Sequence, residues 1–175
     1  AGANAALAPV GAAGKGYKAA NFSGVGTGFP VIADIKKHVV DAGKSQADAD
    51  KVGDVLYNRG MYNAVIIAEA IRKAQEIHGA TTLTGEQMRD GLEQIDISEA
   101  RLKELGLEGF TGALKGSCKD HEGGGAVFIQ QWNGDQFERI SDKISPMLDV
   151  TRPLLEEAAA KYISDKPDWK GQTCG

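Results

Sequence analysis

The longest helical pattern in the sequence runs from Val55 to Gly79, and it limits the folds that the chain can adopt. Apolar residues recur along it at the three- and four-residue spacing of one helix face: Met61, Tyr62, Val65, Ile66, Ala70, Ala74 and Ile77. Ile67 and Ile71 widen this stripe, which predicts a helix buried on more than one side. Glu69 stands four residues before Lys73, the favourable order for an ion pair, so we expect these side chains to pair.

Three residues at the start of this helix are the best candidates for ligand contacts. Tyr57, Asn58 and Arg59 lie where a helix attracts anions and polar ligand groups. The alternative is structural, with Tyr57 in the core and Asn58 as a cap. Polar groups at a helix start bind ligands or cap the backbone by the same chemistry, so the residues alone leave both interpretations open.

The composition excludes several classes of protein. A chain of 175 residues suffices for one domain with a hydrophobic core, and 42% hydrophobic with 25% charged residues is typical of globular proteins. The formal net charge of -4 offers no basic surface for nucleic acid. No apolar run approaches the roughly 20 residues that span a bilayer. No cofactor motif stands out, so we expect no cofactor.

The predicted elements are mainly helical in the first part of the chain and change character later. They comprise a loop at 1–16, a strand at 17–22, a glycine-rich loop at 23–28, a helix at 29–43, the long helix, helices capped by residues 84–87 and 96–99, strands at 126–132 and 136–140, and a last helix capped by Asp149 or Thr151. Asn133-Gly134 between the last two strands predicts a hairpin with a type I′ turn. These strands are too few for a sheet covered on both faces. Either a strand is missed or part of a larger α/β protein is absent.

Three short motifs each have a plain structural interpretation. The glycines of residues 24–28 lie between a strand and a helix, but their spacing is not that of a phosphate loop, so a hinge is favoured. Residues 118–122 contain Cys118 and His121 but lack the second ligand pair of a zinc site, which favours a surface loop. Residues 21–23 match a glycosylation sequon, a triplet that is common by chance.

Five segments taken in order carry a family resemblance. They are GYKAANFSGVG, FPVIADIKKHVVDAGK, VLYNRGMYNAVIIAEAIRKAQ, GLEGFTGALKGSCKDHEGGGAVFIQQWNGDQFERISD and RPLLEEAAAKY. The ordered set resembles the C-terminal half of type I periplasmic solute-binding proteins of ABC transporters, with the branched-chain amino acid and amide receptors as the most similar group. The resemblance covers nearly the whole chain.

The resemblance implies a partial type I periplasmic-binding-protein-like fold of the α/β class, the C-terminal half of a two-lobed receptor. Residues 1–28 would end the second lobe and form a hinge. Residues 29–108 would be the mainly helical C-terminal part of the first lobe. Residues 109–145 would cross back and add a hairpin to the second lobe, and residues 146–175 would form a C-terminal helix and tail.

The resemblance also implies a function. The chain would belong to a periplasmic, non-enzymatic receptor that captures a small molecule, such as a branched-chain amino acid, an amide or a related carboxylate, between its lobes. Tyr57 and Asn58 would face that cleft, and Cys118 would form a disulfide with Cys174. The implied partners are a membrane permease and the N-terminal half that this sequence lacks, and exposed lobe surface predicts self-association.

Two other functions remain as alternatives. The first is a small enzyme that uses Cys118 as nucleophile with His121, which requires a free, activated thiol. The second is a ligand-sensing module on the same two-lobed fold.

Overall fold

The computed structural model describes residues 2–46, 48–166, 168 and 174, which form a mixed α/β fold. The helices are α1 (Asn4–Leu7), α2 (Pro30–Ile35), α3 (Val55–His78), α4 (Gly85–Glu93), α5 (Glu99–Glu104) and α6 (Leu148–Ser164), and the strands are β1 (Lys18–Asn21), β2 (Asp96–Ile97), β3 (Leu114–Lys115), β4 (Phe128–Trp132) and β5 (Phe137–Arg139). A π-helical turn at Lys36–Val40 extends α2, and 3-10 turns lie at Gly11–Gly14 and Ala49–Lys51. The predicted α/β class is confirmed. The predicted loop at 1–16 is wrong, because α1 and a 3-10 turn lie there.

The larger sheet joins the start of the chain to its last third. It is antiparallel and has the strand order β1-β4-β5. Asn21 pairs with Phe128 at the end of the β1–β4 ladder. Side chains alternate along β4, where Phe128, Gln130 and Trp132 are buried. Strands β2 and β3 form a separate two-stranded sheet.

The predicted hairpin between β4 and β5 is present, but its turn is not of type I′. Among the described residues only glycines have a positive φ, so Asn133 does not take the conformation that a type I′ turn demands. Its Oδ1 instead accepts hydrogen bonds from the N–H groups of Asp135 and Gln136, at 2.9 and 3.0 Å. Gly134 alone is left-handed, with φ of 114°. The asparagine side chain therefore closes a longer loop at residues 133–136.

The described residues include two clusters of buried hydrophobic side chains. The larger contains residues of α3, β2 and α5 and the segments beside them: Tyr62, Ala70, Ile95, Ile97, Leu102, Leu107 and Phe110. In the smaller, Val55 at the start of α3 packs against Trp132 and Phe137 of the sheet. Helix α3 thus contributes to both clusters.

Helix α3 confirms the long helix predicted from the sequence. It ends at Gly79, which has the left-handed φ of 61° expected for a helix stop. The prediction that it is buried on more than one side is wrong. Ile67 is 53% exposed and Ile71 is 38% exposed, because no described part of the chain covers that side.

A buried carboxylate links α3 to α5 and replaces the ion pair predicted within α3. Arg101 donates to Glu69 through Nε at 3.0 Å and Nη2 at 2.7 Å, and Arg72 Nη2 adds a bond at 3.1 Å. The hydrogen bonds from Arg101, with a smaller contribution from Arg72, hold the pKa of Glu69 below its ordinary value against the opposing effect of burial. Lys73 pairs with Glu76 instead. The predicted Glu69–Lys73 pair is wrong because a two-pronged guanidinium is the stronger partner.

The capping predictions have mixed outcomes. The Thr84–Gln87 capping box is confirmed, with its two hydrogen bonds at 2.9 and 3.3 Å, and Ser98 caps α5. The predicted cap of α6 at Asp149 or Thr151 is wrong, since this helix begins without a side-chain cap.

Helix α6 has an apolar surface that no described residue buries. Its exposed apolar side chains are Val150, Leu154, Leu155, Tyr162 and Ile163. None of the helices in the described part of the chain has the length and apolar character needed to cross a membrane.

Helices α3 and α4 pack closely against each other at Gly91. A Cβ added there would meet the carbonyl oxygen of Ala70 and lie 2.8 Å from the Cβ of Ala74. We expect Gly91→Ala to push the helices apart and to lower the free energy of unfolding by about 1.5 kcal/mol, as overpacking does. Urea unfolding followed by circular dichroism measures this loss.

Gly85→Ala is the matched control for Gly91→Ala, because an added Cβ at Gly85 meets nothing within 4 Å. We expect it to change the free energy of unfolding by less than about 0.5 kcal/mol. If the two substitutions have equal effects, the close helix contact at Gly91 does not contribute to stability.

Candidate functional site

Two connecting segments run side by side between the sheet and the helical cluster. Residues 21–26 lead from β1 towards α2, and residues 109–114 lead from α5 to β3. They are joined where the Thr111 hydroxyl donates to the carbonyl oxygen of Phe22 at 2.9 Å. The first turns of α3 contact both segments, and we call residues 21–26, 57–62 and 109–114 the junction.

Asn58 ties α3 to the first of these segments. It is fully buried, and its Nδ2 donates to the carbonyl oxygens of Gly24 and Gly26, each at 3.0 Å. It is therefore not the helix cap considered from the sequence. Its Oδ1 is buried and has no hydrogen-bond partner among the described residues. Asn58 thus has a structural role and one acceptor left unused.

Tyr57 lies in the first turn of α3, beside Asn58 in sequence, and is half-buried. Part of its side chain is accessible at the edge of the junction. Its contact with a ligand stays a prediction.

Sequence reasoning missed the buried polar network at the end of β1. Asn21 Nδ2 donates to Gln130 Oε1 at 3.1 Å, and Asn21 Oδ1 accepts from the Ser23 hydroxyl at 3.5 Å. Asn21 is 3% exposed, so the sequon at residues 21–23 is not accessible for glycosylation. The signal that could have identified this network is Asn21 directly after Ala19 and Ala20 at the end of β1, together with Gln130 in the middle of β4.

Arg59 lies over the ring of Phe22, with its Cζ 4.9 Å from the ring centroid. Its Nη2 is 3.4 Å from Asn21 Oδ1. Its Nε is buried and has no hydrogen-bond partner in the described part of the chain. The junction therefore contains a partly desolvated cation with few acceptors around it.

A cavity of about 350 Å³ opens beside the junction. Its lining includes Phe22, Tyr62, Thr111, Gly112, Ala126 and Val127. Burial raises the pKa of the Tyr62 hydroxyl, and a hydrogen bond with Thr111 opposes this shift, so the phenol is neutral near pH 7. The volume lies at the lower end of the range for small-molecule sites.

The loop around Cys118 is held by a disulfide to Cys174, with the two Cα atoms 5.6 Å apart. His121 lies in the same loop, and its Nε2 is 3.5 Å from Glu93 Oε1. A disulfide sulfur is not a nucleophilic thiolate, so this arrangement does not supply the enzyme alternative with its nucleophile. Among the described residues no cluster of three or more His, Cys, Asp or Glu side chains could hold a metal ion.

Two solved structures are similar to the chain. A protein named as an ABC transporter permease from the Pseudomonas fluorescens group has 42% sequence identity and a TM-score of 0.88, with 95% of this chain and 40% of that chain covered. A branched-chain amino acid ABC transporter protein from Thermus thermophilus, with bound valine, has 22% identity and a TM-score of 0.62, with 84% and 38% covered. No family model and no curated protein matches the chain.

These similarities confirm the predicted type I periplasmic-binding-protein-like fold. Both similar structures are named as ABC transporter proteins. The chain spans 40% and 38% of the lengths of these two proteins.

Proposed function

We propose that the chain is the C-terminal half of the solute-binding component of an ABC importer. The complete receptor would capture a small solute, such as a branched-chain amino acid, an amide or a related carboxylate, in a cleft between two lobes. The observation that carries this proposal is the shared fold with a branched-chain amino acid ABC transporter protein that holds valine.

The arrangement of the core supports a two-lobed receptor. The smaller hydrophobic cluster includes Trp132 and Phe137 of the sheet, the larger is built mainly from residues 62–110, and the junction contributes to both, with Val25 packed against the smaller cluster and Tyr62 and Phe110 in the larger. Gly26 has a φ of 86° in the segment that follows β1, a conformation that favours glycine. Residues 1–28 and 109–145 would then belong to the second lobe. The junction would be the hinge, with Tyr57 and Asn58 at the cleft.

The exposed apolar side of α3 and the disulfide support the partners and the compartment that we propose. The exposed apolar side of α3 around Ile67 and Ile71 would be covered by the N-terminal half. The same surface would cause self-association when that half is absent. The disulfide between Cys118 and Cys174 is typical of an oxidising compartment, which fits a periplasmic receptor that delivers its solute to a membrane permease.

Calorimetric titration of the full-length protein with L-valine, L-leucine, acetamide and urea tests this function. We expect at least one of these solutes to bind, and we expect Tyr57→Ala to weaken that binding by at least about tenfold, as truncation of an aromatic contact does. Tyr162→Ala on α6 is the control and should bind like the wild type, because Tyr162 is 50% exposed and lies in another element. A full-length protein that binds none of the four solutes would count against the proposal.

A further inference from the structure

We propose that Arg59 binds the carboxylate of the solute, an inference that rests on the function proposed above. Of the described arginines, Arg59, Arg101 and Arg152 are partly buried. Arg101 Nη2 lies 2.7 Å from Glu69 Oε1, and Arg152 Nη2 lies 3.4 Å from Asp120 Oδ2. No carboxylate in the described part of the chain pairs with Arg59. Arg59 is thus the partly buried arginine that still lacks an anion.

The immediate surroundings of Arg59 do not compensate its charge. The acceptor near it is the neutral amide of Asn21, at 3.4 Å from Nη2, and its Nε is buried without a partner among the described residues. The ring of Phe22 adds a cation–π contact at 4.9 Å. Removing a guanidinium from water is costly unless an anion and hydrogen bonds replace the water. The site therefore favours an anionic group that accepts from the free N–H donors.

The chemistry of the site selects a carboxylate on a small solute. A guanidinium presents a planar pair of N–H donors that matches a carboxylate in two-pronged geometry. The guanidinium of Arg59 lies over the ring of Phe22, and Phe22 also lines the cavity of about 350 Å³. Phe22 is therefore a neighbour of both the cavity and the guanidinium.

The experiment compares matched pairs that differ in the carboxylate. L-valine and L-valinamide, and L-leucine and L-leucinamide, are titrated calorimetrically into full-length wild type, Arg59→Gln, Arg59→Lys and the control Arg89→Gln. Arg89 is exposed on α4 and pairs with Asp90, away from the junction. We expect Arg59→Gln to weaken the carboxylate solute by about 30-fold, as loss of a charged hydrogen-bonded pair does, with little change for the amide. The affinity of Arg59→Lys for the carboxylate solute should lie between those of wild type and Arg59→Gln. The affinity of Arg89→Gln should match that of wild type.

The outcomes separate this inference from the proposed function. If wild type binds L-valine or L-leucine and Arg59→Gln binds them equally well, only the role of Arg59 is overturned. Unchanged affinity with a lower melting temperature in Arg59→Gln overturns it too, since Arg59 would then pair with a carboxylate of the protein. Wild type that binds acetamide or urea but none of these four probes overturns the carboxylate site alone, and wild type that binds none of all these solutes overturns the proposed function as well.

A measurement on the wild type covers the case in which Arg59→Gln does not fold. The ¹⁵N Nε–H resonance of Arg59, assigned by its absence in Arg59→Lys, should shift on addition of the amino acid that binds, and its hydrogen exchange should slow. A resonance that stays unchanged at saturation overturns the inference.

Discussion

Replacing Phe110 by alanine is expected to lower the free energy of unfolding by about 4 kcal/mol, because the substitution empties a fully buried aromatic site. Phe110 is 0% exposed, and its ring packs against Phe29 at 4.9 Å and Tyr62 at 5.9 Å between centroids. It also covers Gly24, where an added Cβ would lie 3.0 Å from the Phe110 ring. The side chain therefore joins α3, α2 and both connecting segments of the junction.

Urea unfolding at pH 7 measures the effect of Phe110→Ala. Leu154→Ala on α6 is the control, because Leu154 is 63% exposed and its truncation should cost less than about 1 kcal/mol. The loss for Phe110→Leu should lie between the losses for Phe110→Ala and Leu154→Ala, since leucine leaves a smaller cavity than alanine does. If Phe110→Ala costs no more than Leu154→Ala, the junction can collapse around the missing ring and does not depend on it.

Features set by neighbouring residues could be predicted from the sequence. The capping box at Thr84, the left-handed stop at Gly79 and the position of the hairpin all follow from short-range backbone chemistry. The hairpin also shows the limit of such rules. The dipeptide Asn133-Gly134 marked the turn correctly, but the Asn133 side chain bonds to the loop backbone and produces another turn type.

Features set by distant residues could not be predicted in this way. Glu69 has its strongest partner, Arg101, 32 residues later in the chain, so spacing within α3 pointed to the wrong cation. The exposure of Ile67 depends on which surface is available to cover α3, and no local pattern contains that information.

The candidate site also combines residues that short-range chemistry identified with a residue that it missed. Tyr57, Asn58 and Arg59 were identified because a helix start concentrates polar groups. Thr111 was missed, since it reaches Phe22 across 89 residues of sequence. A site at the meeting of two connecting segments is visible only once both segments are in place.

Replacing Glu69 by glutamine is expected to lower the free energy of unfolding by about 3 kcal/mol at pH 7, the low end for breaking a buried ion pair. The Glu69 side chain is 7% exposed and accepts two hydrogen bonds from Arg101, whose side chain is 31% exposed. Glutamine keeps the volume but loses the charge and one acceptor. Glu104→Gln is the matched control, because Glu104 pairs with the same arginine but is 65% exposed, and it should cost less than about 1 kcal/mol.

The free energy of unfolding of Glu69→Gln is expected to differ from that of wild type. The pH dependence of this difference tests whether the charge of Glu69 causes it. Because Arg101 lowers the pKa of Glu69 in the folded state, the pair contributes fully above the unfolded-state pKa of about 4.3 and is lost as the pH falls through the folded-state pKa. Urea unfolding of wild type and Glu69→Gln should therefore give a constant difference from pH 7 to about pH 5 that narrows below about pH 4. Glu99 and Asp120 also have lowered pKa values, but they are unchanged in both proteins and cancel in the difference. A difference that stays constant from neutral to strongly acidic pH would mean that packing, not the ion pair, makes Glu69 important.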